Sequence, residues 1–368
     1  MTKKIIPFFS VARENRKNIN KYIGKIKKVL ILGNVLQGNE VLILEKLLSK
    51  YMKKKSCVVC NSCTDALFFA LKALKLKKNS EVLVPNFSYV ASASSIVRAG
   101  LRPKFIDIDN EYNLDLNAAQ KKITSRTKAM IFVHLYGQMG SPNKILEFCK
   151  KNKIILIEDV AQAFGAMREG KIAGSIGELS CISFDPTKII SAPGSGGAVL
   201  TNNKRYYNEI RKMRYHGKDK NNFKILGYNS QLPTITASVI LEKIKQNKQW
   251  NTIRQKIANK YCSKLSGFVS VPKIVKNQTH AFHKFVIETP KRDKLKKYLL
   301  SKGIQTMIHY NSPLSSNPYL KKMFKEDIKK KNAYKKSKLV LSLPIHPFLK
   351  KEEVNYIISN IIKFIKAN

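Results

Sequence analysis

Apolar residues in this chain fall into short unbroken runs that alternate with longer stretches of helical period. Val58-Val59, Glu81–Pro85, Lys104–Asp107, Ala129–Val133, Ile154–Asp159 and Ser180–Phe184 each read as a strand, most of them buried on both faces. Between them, residues 64–76 place Leu67, Leu71 and Leu74 on one face of a predicted helix. Residues 88–99 form a second predicted helix closed by Gly100, and 142–151 a third. Ala198-Val199-Leu200 adds one more strand. Ahead of this alternation, an amphipathic, lysine-rich stretch leads through Leu36-Gln37-Gly38 to a helical pattern ending near Tyr51. Strands separated by helices predict an α/β fold with a mostly parallel central sheet flanked by helices on both faces. A helix from about Ile235 to Trp250 leads out of this unit. Beyond it the pattern turns α+β: a strand at His283–Ile287 and helices at 293–302 and 351–366. The expected division is a large domain over 1–250, with an N-terminal arm, and a smaller one over 251–368.

A length of 368 residues supports such a pair of domains, and 43% hydrophobic with 25% charged residues is ordinary globular composition. No apolar run approaches the ~18 residues of a membrane span. The start, Met1-Thr2-Lys3-Lys4-Ile5-Ile6-Pro7, lacks the apolar core of a secretory signal, so a cytoplasmic protein is expected. The net charge of +45 invites a nucleic-acid role. The excess, however, is lysine rather than arginine, is spread through every element and seldom interleaves with aromatics. Base reading and phosphate gripping favour arginine forks, so a lysine-rich composition explains the charge without a nucleic-acid partner. Cys57, Cys60 and Cys63 mimic a metal-binding spacing, but a strand runs through them and no second cysteine pair completes a site. The six cysteines are expected as free thiols, and no metal is expected.

The candidate chemistry lies at strand ends. Asp185-Pro186 ends one strand in a turn, and Lys188 stands just past it. A partly desolvated lysine there can lose its proton and attack a carbonyl. In so lysine-rich a chain Lys188 alone would read as surface; other strand ends supply company for it. Asn61–Ala66 joins a strand to a helix, with Thr64 as a candidate N-cap, and exposed amides at a helix start bind anions. Ile154–Asp159 carries Glu158 and Asp159 to the carboxyl end of a buried strand, where open α/β sheets hold ligands. Such a carboxylate suits either a metal or a protonated ring nitrogen. A phosphate loop of the form G-x-x-x-x-G-K-[S/T] is absent, and Gly194-Ser195-Gly196-Gly197 precedes a strand rather than a helix. Tyr89, after Pro85-Asn86-Phe87-Ser88, stands where an aromatic ring can cover a planar ligand. The histidines form no H-E-x-x-H motif, and His280 and His283 are not expected to ligate a metal.

Taken together the motifs resemble the DegT family of nucleotide-sugar aminotransferases. They run in order: N-S-C-T-D-A-L at 61–67, P-N-F-S-Y-V-A at 85–91, V-H-L-Y-G-Q at 133–138, E-D-V-A-Q-A-F-G-A at 158–166 and S-F-D-P-T-K at 183–188. G-S-G-G at 194–197, R-Y-H-G at 214–217, G-Y-N-S at 227–230, H-Y at 309–310 and L-S-L-P at 341–344 follow. The resemblance implies the type I aspartate-aminotransferase fold and the cofactor pyridoxal 5′-phosphate (PLP). By that likeness Lys188 is the Schiff-base lysine and Asp159 the partner of the pyridinium nitrogen. Gln162 contacts the cofactor's 3-oxygen and Tyr89 stacks on its ring. Cys63, Thr64 and Ser183 hold the phosphate, with Asn229 reaching it from a neighbouring subunit, which implies a homodimer.

The implied reaction moves an amino group from L-glutamate to a nucleotide-linked keto-sugar, for surface-polysaccharide biosynthesis. Family members that dehydrate sugars carry histidine at the lysine position, so Lys188 argues for transamination. Other readings are a sugar dehydratase, a transaminase of a cyclitol or other keto substrate, and a non-catalytic regulator or nucleic-acid-binding protein on the same fold. Cys63, Phe164 and Ser195 depart from the family's common residues. So do Gln231, where arginine is common, and Ser315, where histidine is common. These last two fall in segments expected near substrate, as do Gln37 and His309.

Overall fold

Strand β5 (Ile155–Asp159) occupies the middle of a seven-stranded sheet in the order β1-β7-β6-β5-β4-β2-β3. The other strands are β1 (Ser56–Cys60), β2 (Glu81–Pro85), β3 (Arg102–Ile106), β4 (Thr127–Val133), β6 (Leu179–Ser183) and β7 (Gly197–Thr201). The computed structural model describes residues 5–273, 275, 277–324 and 331–367. Neighbours pair in parallel from β6 through β3; β7 alone runs against both its partners, β1 and β6. This agrees with the mostly parallel, helix-covered sheet expected from the pattern. The unbroken apolar runs are explained by cores on both faces. Val58, Val84, Ile131, Ile157 and Cys181 pack on one side, and Val59, Cys57 and Ile182 on the other. Cys57 and Cys60 thus fall into opposite clusters, as strand alternation requires, and their thiols do not converge.

Helix α1 (Val11–Leu32) and α2 (Asn39–Tyr51) precede β1. Helices α3 (Cys63–Ala73), α4 (Ala91–Arg98), α5 (Pro142–Asn152) and α6 (Lys204–Arg214) follow β1, β2, β4 and β7. The cap of α3 is Ser62, whose hydroxyl accepts from the Asp65 amide at 3.1 Å, and not Thr64, which lies one residue inside the helix. The capping oxygen must belong to the residue whose backbone is still extended, and Ser62 has that conformation (φ −159°, ψ 159°).

The predicted helix at 235–250 is two helices, α7 (Thr234–Ile244) and α8 (Asn247–Leu265). The junction at Lys245-Gln246 contains neither glycine nor proline, so nothing local marks it. Trp250, near the start of α8, packs under the sheet, while Ile257, Tyr261 and Leu265 enter a separate cluster with Phe285, Leu341 and Ile357. The passage between the two cores therefore runs along α8 rather than ending before it. The second core is closed by α9 (Arg292–Ser301), α10 (Lys351–Lys366) and a two-stranded sheet of β8 (Phe285–Glu288) and β9 (Val340–Leu343). Strand β8 starts later than the predicted His283. The His283 ring contacts the Thr187 carbonyl at 3.1 Å and the Lys284 amide donates to Tyr136, so neither residue joins the ladder.

Glu158 anchors the end of β5. Wholly buried, its carboxylate accepts from His134 Nε2 (3.0 Å), the amides of Gly174 (2.8 Å), Ile176 (2.9 Å) and Gly177 (2.6 Å), and the Ser180 hydroxyl (3.2 Å). Burial alone would raise its pKa, but these donors, His134 foremost, hold it below the ordinary carboxylate value. Glu158→Ala is expected to leave three amides unpaired in the interior, costing at least about 3 kcal/mol. Chemical denaturation should show this; a midpoint equal to the native protein's would remove Glu158 from this role.

Candidate active site

The carboxyl ends of β1, β5 and β6 open onto one region, and the sequence-predicted residues sit on the segments that leave them. Asp159 is the last residue of β5 and 4% exposed. Its Oδ2 accepts from the Ser92 hydroxyl at 3.1 Å and its Oδ1 from the Ala161 amide at 3.0 Å. Ser92 in turn contacts the Ser88 hydroxyl at 3.0 Å. The period of two along β5 separates the adjacent acids. Glu158 is enclosed by loop amides, and Asp159 turns to the opposite side, toward Ser92 and Lys188. Burial raises the Asp159 pKa, while the Ala161 amide, the charge of Lys188 and the Ser92 hydroxyl oppose that rise.

Lys188 is half-buried on the loop after β6. Its amide bonds the Asp185 carbonyl at 2.9 Å, and Asp185 Oδ1 accepts from the Thr187 amide (2.9 Å) and hydroxyl (2.6 Å), which makes a rigid turn. The loop is pinned from the second core by His283, through the Thr187 carbonyl. Ser183 is 7% exposed, and its hydroxyl accepts from the Asp185 amide at 3.3 Å.

Cys63 and Thr64 are the first two residues of α3, so their amides have no intrahelical acceptor. The dipole of the helix adds positive potential there. Burial pushes the Cys63 thiol well up, reinforced by Asp159 and opposed by Lys188, so the thiol stays neutral and leaves that potential intact. The electrostatic reach of Asp159 and Lys188 to Cys63 brings all three into one site. Gly197 makes the approach possible. A Cβ there would lie 2.4 Å from the Ser62 carbonyl and 2.6 Å from the Cys63 amide nitrogen.

Gln162 is 5% exposed; its Oε1 accepts from the Tyr136 amide (2.9 Å) and its Nε2 donates to the Tyr310 hydroxyl (3.2 Å). Tyr89 lies between β2 and α4 and is 60% exposed. Asn229 is also exposed, next to Ser230, whose hydroxyl donates to Asp65 at 2.7 Å and whose carbonyl takes the Asn61 amide. Its loop therefore rests on the start of α3 of its own chain. Gln37 and Gln231 are joined by a 2.7 Å hydrogen bond at the surface. Ser315 is buried; its amide bonds Asn86 and its hydroxyl has no partner among the described residues. His309 stacks on Phe8 at 5.7 Å between centroids and contacts the Ser342 hydroxyl at 2.9 Å; burial pushes its pKa down to about 3.

Sequence reasoning missed three contributors: Ser92, His283 and the cap Ser62. Each acts through a neighbour distant in the chain or through backbone conformation, and no spacing rule exposes a serine behind a carboxylate. Among the described residues no group of three or more His, Cys, Asp or Glu is arranged to hold a metal ion. The donor set instead fits an anionic, planar group with a basic ring nitrogen: helix amides at one end, a buried carboxylate at the other, and an amine beside them.

The chain belongs to the DegT/DnrJ/EryC1/StrS aminotransferase family, whose sequence profile matches residues 16–362. It is 34% identical over 367 residues to a pleiotropic regulatory protein of Geobacillus stearothermophilus, covering 98% of this chain and 99% of that one. It is also 34% identical over 348 residues to the UDP-2-acetamido-2-deoxy-3-oxo-D-glucuronate aminotransferase of Pseudomonas aeruginosa, covering 94% and 96%. The crystal structure of NtdA from Bacillus subtilis with bound cofactor PMP superposes with a TM-score of 0.90 at 25% identity, covering all of this chain and 86% of that one. The sheet order and layers thus belong to the aminotransferase fold expected from the motifs.

Gly197→Ala is expected to push the first turn of α3 away from β7, at a cost of about 1–3 kcal/mol. Inorganic phosphate binding, followed by calorimetry, should weaken along with the melting temperature. If both are unchanged, α3 yields freely and the close approach has no part in shaping the site.

Proposed function

We propose that this protein is a PLP-dependent aminotransferase that transfers the amino group of L-glutamate to a nucleotide-linked keto-sugar, for amino-sugar and surface-polysaccharide biosynthesis. The observation that carries the reading is that Asp159 ends β5, Lys188 follows β6 and Cys63 opens α3 after β1, all beyond the carboxyl ends of strands in one sheet. The family and the sugar aminotransferases among its relatives supply the substrate class. On this reading residues 1–250 form the cofactor-binding domain and 251–368 the smaller one.

The amides of Cys63 and Thr64 and the Ser183 hydroxyl would hold the phosphate, Tyr89 would cover the ring, and Gln162 would orient its 3-oxygen. When bound, the cofactor supplies an electron-accepting ring that stabilises negative charge developing at the donor's α-carbon. Asp159 would keep a proton on the ring nitrogen, and that cation would offset the cost of burying the carboxylate. Lys188 takes the proton from the donor's α-carbon and returns protons on the opposite half of the reaction. Its fixed turn and the His283 contact limit the space it samples. The Ser88–Ser92 pair steadies the Asp159 carboxylate and would hold it toward the ring.

The site also points to a homodimer. Ile23, Leu30, Ile31, Leu32, Leu36 and Leu42 are all at least half exposed along and just beyond α1 and on α2, apolar side chains that a second copy would cover. Tyr89 and Asn229, both exposed in the single chain, would be completed by a second copy, with Asn229 reaching the partner's phosphate. No helix among the described residues is long and apolar enough to cross a membrane. A regulatory role on the same fold is suggested by the name of the Geobacillus relative, but Lys188 and Asp159 together favour catalysis.

The protein as purified should absorb visible light, and Lys188→Ala should abolish or shift that band and abolish formation of 2-oxoglutarate from glutamate. An unchanged spectrum would sink the lysine's role. Light scattering should give twice the chain's 41.9 kDa. Mixing Lys188→Ala with Asn229→Ala subunits should restore activity that neither has alone, because one hybrid site then carries both residues. No restoration would place Asn229 in its own subunit's site or outside it.

A further inference from the structure

Lys284 is 7% exposed, yet among the described residues its ammonium makes no ion pair and donates no hydrogen bond. A buried charge without a counter-ion costs several kcal/mol, so it persists only where something supplies the missing anion or where function retains it. Its Nζ lies 4.8 Å from the centroid of the Phe8 ring, and Phe8 stacks on His309. The groups that act on it come from every side. Lys188 and Asp185 face it from the loop after β6, Arg254 from α8, and His283 and His309 from the second core. Glu288, on the wall of a cavity of about 460 Å³ that Lys284 also borders, is already bonded to Tyr112 and Lys336. Asp185 is occupied by Thr187. Glu111, on the same wall, is paired with Arg168 at 2.8 Å, so the carboxylates around Lys284 are already engaged.

We propose that Lys284 is a specificity residue that anchors a carboxylate of the substrate beside Lys188. A carboxylate is the group such a pocket lacks: it supplies the counter-charge and accepts from the ammonium at short range. The carboxylate comes either from the dicarboxylic amino donor or from a uronate carried on the keto-sugar. The inference rests on the transaminase reading for the identity of these two sources. Burial, with Lys188 and Arg254, pushes the Lys284 pKa down to about 7. The ordinary lysine value lies well above this, so the unfolded chain holds the proton more tightly. Between pH 7 and that ordinary value, stability therefore rises with pH. The uncompensated charge destabilises the free protein most below pH 7.

The test uses the holoenzyme with Lys284→Met and Lys284→Arg. Calorimetry measures glutarate, and UDP-glucuronate against UDP-glucose, well below and well above pH 7. Lys284→Met should weaken glutarate or UDP-glucuronate by at least about tenfold at the lower pH, remove the pH dependence and leave UDP-glucose unaffected. Which anion is lost identifies the source. Lys284→Arg should keep much of the affinity and carry it to higher pH. The free Lys284→Met protein should melt higher than the native one below pH 7, an advantage that fades as pH rises; a merely structural lysine would melt lower. The proposal is overturned if Lys284→Met binds both anions as the native protein does, or if the native protein binds neither better than UDP-glucose. Failure of glutamate to yield 2-oxoglutarate would instead overturn the transaminase reading, and the anion titrations would stand apart from it.

Discussion

Everything in the site hangs on how the end of β5 disposes of two adjacent carboxylates. Both are buried, and an interior cannot hold two bare negative charges side by side without specific partners. Glu158 is satisfied by the loop at 174–177, by Ser180 and by His134, so its charge is spent on fixing the backbone of the central strand. Asp159 is left with one amide and one serine hydroxyl, fewer donors than a buried carboxylate can accept. Its remaining capacity is what a cationic ring nitrogen would take up. The division of labour follows from strand alternation alone: one residue's displacement exchanges the structural acid for the available one.

The opposite end of the site obeys a matching constraint. A helix start attracts an anion only if its amides are accessible and not screened by a neighbouring negative charge. Gly197 lets β7 pass close beneath α3 without a side chain in the way, and the neutral Cys63 thiol adds no opposing charge. Asp65, the acid in the first turn, is engaged by Arg98 at 2.6 Å and by Ser230. The positive end of α3 and the carboxylate of Asp159 therefore both lie beyond the carboxyl ends of strands in the same sheet. The charge of +45 surrounds this arrangement without explaining it. A diffuse lysine field speeds encounter with anionic substrates, whereas orientation comes from a few fixed groups.

Around Lys188 the protein accepts strain in protonation. His309 and His283 are held neutral by burial and neighbouring cations, and Lys284 is pushed toward neutrality. An electropositive, dry surrounding of this kind binds a carboxylate strongly once one arrives. The free protein bears the cost in stability, which is a common condition of functional sites.

Much of this was legible in the sequence. Runs such as Val82-Leu83-Val84 and Ile155-Leu156-Ile157 can only be strands covered on both faces, because they lack a polar alternate. The ordered motifs around Cys63, Asp159 and Lys188 identified the family, since turn and site residues keep their spacing when the surroundings vary. Local rules failed where long-range packing chose between local equivalents. Ser62 rather than Thr64 caps α3 because of its extended backbone, and the break between α7 and α8 follows the move of α8 from one core to the other. Ser92 behind Asp159, the counter-ion missing from Lys284 and the exposure of Tyr89 and Asn229 are relations between distant segments. The chain alone singled out the residues proposed to carry the chemistry, and their order. Only the tertiary structure decided which acid is free, which serine steadies it and which lysine is buried without a partner, because charge compensation depends on who is near in space, and periodicity is silent on that.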